Sequence, residues 1–199
     1  MKSVAIQAGG ESRRMGQDKA LLPFLGATLI ERVINRVASL GDEILITTNH
    51  PEEYKDFKYP LFRDILPGTG ALGGLFTALS VARSPIVIVV ACDMPFVNVD
   101  ILMESIEKLQ SSKVDVVIPK TTKGYEPFHA VYRRETCLPA IQSVLESGER
   151  RLISWFSNVN ITPIPESELL LHDPQRIAFR NLNTKEDFLK AEELARKIG

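Results

Sequence analysis

Short β-branched runs recur along the chain at 3–8 (SVAIQA), 43–48 (EILITT), 86–91 (IVIVVA) and 114–118 (VDVVI). Most are too continuously apolar to keep one face in water, which predicts strands buried on both sides. Between the first two, Thr28-Leu29-Ile30-Glu31 has the capping-box pattern, and Leu29, Ile30, Val33, Ile34, Val37 and Leu40 follow at helical spacing before Gly41. Residues 71–83 and 98–110 make two further helices, the second opening on Asn98 as N-cap, with Pro85 and Pro95 outside them. Strand and helix in alternation predict an α/β parallel sheet joined by right-handed crossovers. The pattern changes after 114–118, because 126–133 (EPFHAVYR) reads as another strand with no full helix before it, so an antiparallel excursion is expected there. Helices at about 135–146 and 150–157, a strand near 160–164 and a final helix from Thr184 to Ile198 complete the prediction. With no repeat, low-complexity tract or Gly/Ser linker, residues 1–199 read as one domain.

Composition narrows the function more than the fold. Lys and Arg number 24 against 25 Asp and Glu, so the net charge of -1 creates no general field for nucleic acid, and an anionic partner needs a local site. No run approaches the roughly 18 apolar residues of a membrane span, and the N-terminal stretch lacks a secretory apolar core, so a cytoplasmic protein without a membrane or nucleic-acid partner is expected. Cys92 and Cys137 form neither a CxxC motif nor a disulfide framework and read as buried packing. His50 and His172 lack metal-ligand spacing with each other or with the cysteines.

The chemistry concentrates at strand ends. The first strand runs into Gly9-Gly10-Glu11-Ser12-Arg13-Arg14-Met15-Gly16-Gln17-Asp18-Lys19. The glycines let the backbone approach a ligand with its N–H groups converging, and Arg13, Arg14 and Lys19 add charge that clamps a polyphosphate. By itself this loop also fits a solvated turn with incidental basic residues, and it is not a Walker A loop. Asp93 closes the run IVIVVA within Cys92-Asp93-Met94-Pro95-Phe96, at the carboxyl end of a strand, where α/β folds bind ligands. Its hard oxygens suit Mg²⁺ shared with substrate phosphates, and its plainer role is to cap the turn before Pro95.

Taken in order, AGGESRRMGQDKALL, CDMPF, EPFHAVYRR and the late Asn181-Leu182-Asn183-Thr184 resemble the molybdenum cofactor guanylyltransferase family over nearly the whole chain. The first motif is common to many nucleotidyltransferases, and the other three together narrow the resemblance. It implies a three-layer, GT-A-like (Rossmann-related), mostly parallel sheet with helices on both faces. The implied reaction moves GMP from GTP to the phosphate of molybdopterin, releasing pyrophosphate, with Mg²⁺ as cofactor and transient biosynthetic or acceptor proteins as partners. Carried over by position, Gln7, Ala8 and Gly9 meet the nucleotide through their backbone, Arg13 and Lys19 neutralise phosphate charge, and Asp93 holds the metal. Asp64 lies at the nucleotide pocket, and Asn181 and Asn183 lie on the pterin side. Three positions depart from the family: Gln7 stands for the usual Leu, Thr47 for an Asn that some members use on the nucleotide, and Gly-Thr-Gly-Ala-Leu-Gly-Gly for Gly-Pro-Leu-Ala-Gly.

In that reaction the nucleophile is a phosphate whose second pKa of about 6 leaves it ionised at neutral pH, so no general base is needed. The barrier is two anions approaching, which Arg13, Lys19 and a metal on Asp93 would relieve. His129, inside a strand pattern, reads as a core or site-lining residue rather than a proton carrier; Trp155 and Phe156 read as core, with Arg151 a candidate for phosphate. The rivals are the sister cytidylyltransferases, sugar-phosphate nucleotidyltransferases and a non-catalytic nucleotide-binding module. More remotely, Gly68-Thr69-Gly70-Ala71-Leu72-Gly73 literally fits the GxGxxG of an NAD-dependent oxidoreductase, but it follows a poor strand, and close backbone packing explains it.

Overall fold

The computed structural model describes residues 1–8 and 18–198. Its central sheet contains β1 (Lys2–Gln7), β4 (Glu43–Thr47), β5 (Leu61–Phe62), β6 (Ile86–Ala91), β7 (Val116–Thr121), β9 (His129–Arg133) and β10 (Ile161–Pro165), in the order β10-β7-β9-β6-β1-β4-β5, with β8 (Gly124–Tyr125) folded back on β7. A hairpin of β2 (Pro23–Phe24) and β3 (Ala27–Thr28) stands apart. Parallel pairing joins β6, β1, β4 and β5, and also β7 and β10. Strand β9 runs antiparallel to both β6 and β7, which is the excursion expected in the second half.

Period-two alternation along β1 explains the layers. Val4 and Ile6 face a core built with α1 (Leu29–Val37), α3 (Val99–Ser111) and Leu169 of α5 (Glu166–His172). Ala5 faces the opposite core, with α2 (Gly70–Val81), α4 (Arg134–Glu146) and Trp155. Helices therefore cover both faces of a sheet whose middle strands are apolar on each side, the three-layer arrangement expected. A smaller apolar cluster ties Phe24 and Leu29 to Phe96, Leu182 and Phe188, fastening α6 (Lys185–Ile198) beside the carboxyl ends of the strands.

Local chemistry sets the helix ends. Thr28 and Glu31 form the reciprocal capping box of α1, and Asn98 Oδ1 accepts the Ile101 N–H at 3.1 Å at the start of α3. The helix expected over 150–157 is not formed. Turns and a short 3-10 segment, Phe156–Asn158, take its place. Its apolar spacing serves one anchor instead: Trp155 is fully buried against Tyr132, and its indole N–H donates to Leu152 O at 2.9 Å. Arg151 lies exposed in this turn, paired with Glu149. The strand expected over 126–133 begins only at His129, and that expected over 114–118 is displaced to 116–121.

His129 is fully buried, as are Cys137 and nearly Cys92. Its Nε2 accepts the Asn98 N–H at 3.0 Å, its Nδ1 has no partner among the described residues, and burial lowers its pKa to about 4. The unfolded chain then takes up a proton near pH 6.5 that the folded chain refuses until about pH 4. Stability is expected to fall as pH drops through that interval. A His129→Gln variant should lack that part of the slope when urea midpoints are compared at pH 7 and pH 4.5, and an unchanged slope would remove His129 as its source.

Candidate active site

The crevice lies where the parallel strands end. Asp93 follows β6 by two residues, and Lys19 opens the 3-10 turn Lys19–Leu21, whose N-cap Asp18 accepts the Ala20 N–H at 3.0 Å. Buried Tyr54 braces that cap from the far side, its hydroxyl donating to Asp18 Oδ2 at 2.6 Å. Burial, reinforced by neighbouring anionic groups, holds the Tyr54 phenol well above its ordinary pKa, so it remains a donor. Lys19 Nζ meets Asp93 Oδ2 at 2.6 Å, the side chains being only 13 % and 16 % exposed. The same ammonium donates to Asn183 Oδ1 at 3.0 Å.

Asn183 is held by local geometry. Asp187 Oδ2 accepts the N–H groups of Asn183 and Thr184 at 3.0 and 2.8 Å, and Thr184 Oγ1 accepts the Asp187 N–H, capping the start of α6. Leu182 N–H donates to Asp93 O at 3.0 Å while its side chain enters the small apolar cluster. Three segments far apart in sequence thus meet on one ammonium. Asn181 and Asn183 also line a cavity of about 600 Å³ that extends past Thr121 and Glu126.

At the end of β1, Gln7 O accepts Cys92 N–H at 2.9 Å on the β6 side and Ala8 N–H donates to Thr47 O at 2.8 Å on the β4 side. The sheet already uses these two backbone groups. The Gln7 side chain is nearly buried and its Nε2 has no partner among the described residues; it fits because residue 74 is glycine, where a Cβ would stand 2.9 Å from Gln7 Oε1. Gly73 is equally constrained, since a Cβ there would collide with Thr69 Oγ1. The close packing therefore lies in the first turns of α2, at Gly73 and Gly74, whereas Gly68 and Gly70 at its head stand in open space and serve the turn through their positive φ. Asp64, two residues past β5, is half-buried, and desolvation raises its pKa against the opposing effect of the Asn49 amide. Gly9 and Arg13, also expected at the nucleotide, lie outside the described residues.

Among the described residues, no group of three or more His, Cys, Asp and Glu could hold a metal. Asp93 nevertheless suits a hard cation. One of its oxygens faces Lys19 and the other has no hydrogen bond among the described residues. A single carboxylate with phosphate oxygens completing the shell is a common arrangement for Mg²⁺. Sequence reasoning gave no role to Tyr54, which carries no motif, or to Glu126, which it placed in a strand. Among the described residues no helix is long and apolar enough to cross a membrane.

Comparisons with known proteins identify the family. A family model described as the MobA-like NTP transferase domain matches residues 4–160. The chain is 37% identical over 93% of its length to a probable molybdenum cofactor guanylyltransferase of Peptoclostridium acidaminophilum, covering 86% of that protein. It is 35% identical over 94% of its length to the molybdenum cofactor guanylyltransferase of Desulfosudis oleivorans, covering 92% of it. Among solved structures, molybdopterin-guanine dinucleotide biosynthesis protein A from Archaeoglobus fulgidus superposes with a TM-score of 0.84 at 26% identity, each chain covered completely. Motifs in order along the sequence, a three-layer, mostly parallel sheet, and relatives matched over most of their length lead to one assignment: this chain belongs to the molybdenum cofactor guanylyltransferases of the MobA-like NTP transferase family.

Proposed function

We propose that residues 1–199 form one nucleotidyltransferase domain that moves GMP from GTP to the phosphate of molybdopterin, releasing pyrophosphate, in the cytoplasm and with Mg²⁺. The observation that carries this reading is the meeting of Lys19, Asp93 and Asn183, which puts a cation, a metal-compatible carboxylate and an amide at one point beside the cavity that Asn183 lines. The names of the relatives supply the substrate class. Transient partners that deliver or receive the pterin belong to the proposal; nucleic acid does not, given the net charge of -1.

Transfer needs little from the protein beyond charge and alignment, because the attacking phosphate is already ionised. In this reading Lys19 moves its ammonium from Asp93 onto the triphosphate, and Arg13 joins it. Asp93 would be the protein ligand of Mg²⁺, which when bound would supply positive charge to the phosphates and to the leaving pyrophosphate. Asn183 holds Lys19 in place and, with Asn181, borders the acceptor side. Tyr54 and Asp18 keep the lysine's turn from drifting, which matters because misplacement by about 1 Å costs on the order of 10²-fold in rate.

The nucleotide base falls on the β1 side, against Gln7, Ala8, Gly9 and Asp64. Guanine offers N1–H and N2–H₂ donors beside the O6 acceptor. Asp64 is an acceptor, and the Gln7 carboxamide has a donor to give, its Nε2 having no partner among the described residues. Cytosine would leave part of that set unpaired, at about 1–3 kcal/mol for each buried group. Titration calorimetry with Mg²⁺ is therefore expected to rank GTP above CTP and ATP. Equal or tighter CTP binding would move the chain to the cytidylyltransferase reading.

A further inference from the structure

The cavity beyond Asn183 is rich in carboxylates, and most of them are already committed. Asp173 accepts the N–H groups of Ile177 and Ala178, Asp187 caps α6, and Glu166 pairs with Arg176. Glu126 is different. Among the described residues its carboxylate receives one long hydrogen bond, from Thr121 Oγ1 to Oε1 at 3.3 Å, and that hydroxyl lies equally close to Gly124 O. Its Oε2 has no partner among them. Burial raises the pKa of this carboxyl against the opposing effects of the Thr121 hydroxyl and the nearby Lys123 charge, and Lys123, though on the cavity wall, makes no ion pair with it among the described residues.

Its placement is fixed by the sheet. The Glu126 N–H donates to Pro119 O, and two residues on, Phe128 O accepts the N–H of Ala91, the last residue of β6. Glu126 therefore stands at the same edge of the sheet as Asp93, one strand over, with Asn183 on the cavity wall between the transfer point and the rest of the chamber. An acceptor phosphate lying at Lys19 would put the body of the acceptor molecule into this chamber.

We propose that Glu126 determines specificity for the second substrate, its two carboxylate oxygens accepting the N3–H and 2-amino N–H of a 2-amino-4-oxo pterin ring. Those two donors lie side by side on one edge of the ring, the spacing a carboxylate meets in bidentate fashion. The inference rests on the proposed transfer to a pterin phosphate and goes beyond it, by naming the group that reads the ring. A purely structural Glu126 would have no reason to distinguish ring substituents.

The test uses the intrinsic fluorescence of 6-hydroxymethylpterin monophosphate and its 2-oxo counterpart, the 6-hydroxymethyllumazine monophosphate, titrated into the full chain with GTP affinity measured alongside. The wild-type protein is expected to prefer the pterin by about tenfold or more. Glu126→Gln should reverse the order, because the amide places a donor opposite the 2-oxo group while still accepting N3–H. Glu126→Asp, which withdraws the charge by one methylene, should weaken pterin binding by about tenfold and keep the order. GTP affinity should be unchanged in both folded variants. No wild-type preference, an unaltered preference in Glu126→Gln, full pterin affinity in Glu126→Asp, or a loss confined to GTP would each overturn the assignment. Failure of the parent reading is separate: it would appear as no pyrophosphate release by the wild-type protein from GTP and molybdopterin.

Discussion

Asp93→Asn is expected to reduce pyrophosphate release by roughly 10³-fold or more across all practical Mg²⁺ concentrations while the protein stays folded. Asparagine keeps the shape of the side chain and an oxygen toward Lys19, but it removes the negative charge that a divalent cation needs. The mostly buried Lys19–Asp93 ion pair is lost as well, which should lower the urea midpoint, by about 1–3 kcal/mol in stability. The Asn183 amide still accepts from Lys19 Nζ, so the ammonium is not left without a partner. Measuring turnover and urea unfolding on the same preparation separates the two effects. Wild-type turnover at ordinary Mg²⁺ would remove Asp93 from the mechanism.

Lys19→Ala is the second large effect, an expected loss of about 10²-fold or more in turnover. The ammonium reaches both Asp93 and Asn183, and its turn is braced by Asp18 and Tyr54, so a preorganised charge is removed rather than a mobile surface lysine. If Lys19 stabilises charge that develops during transfer, kcat should fall more than GTP affinity. An equal loss in both would place its role in ground-state binding, and no loss in either would return it to a wet loop.

The sequence displayed the sheet because its middle strands are covered on both sides: β6 is apolar throughout, β1 and β4 at their central three positions, and short continuous apolar runs of this kind suit strands buried on both faces. The capping box at Thr28 and the N-cap at Asn98 were legible for the same reason, since each is settled within four residues. The segment around Trp155 was not, because a buried indole anchored to Leu152 O produces helical spacing without a helix. Helix α5 went unread since it is short and, of its apolar residues, only Leu169 is buried; Leu171 points to solvent.

For the candidate site, residue type and strand-end position singled out Lys19 and Asp93. Nothing in spacing, however, brings Asn183 to Lys19, 164 residues away. That contact depends on Leu182 entering an apolar cluster with Phe24 and Phe188, a tertiary event with no local signature. Gln7 shows the converse. Its departure from the usual Leu was visible in the sequence, but the need for Gly74 beside its carboxamide emerges only once α2 is packed on β1.

The central claim is that this site joins GMP to a pterin phosphate, and the most direct measurement incubates the purified chain with molybdopterin, Mg²⁺ and each nucleoside triphosphate in turn, following pyrophosphate and the mass of the pterin product. The account predicts pyrophosphate release with GTP in preference to CTP and ATP, together with a guanine dinucleotide form of the pterin. Preferential release with CTP, or nucleotide transfer to a sugar phosphate but not to molybdopterin, would contradict it.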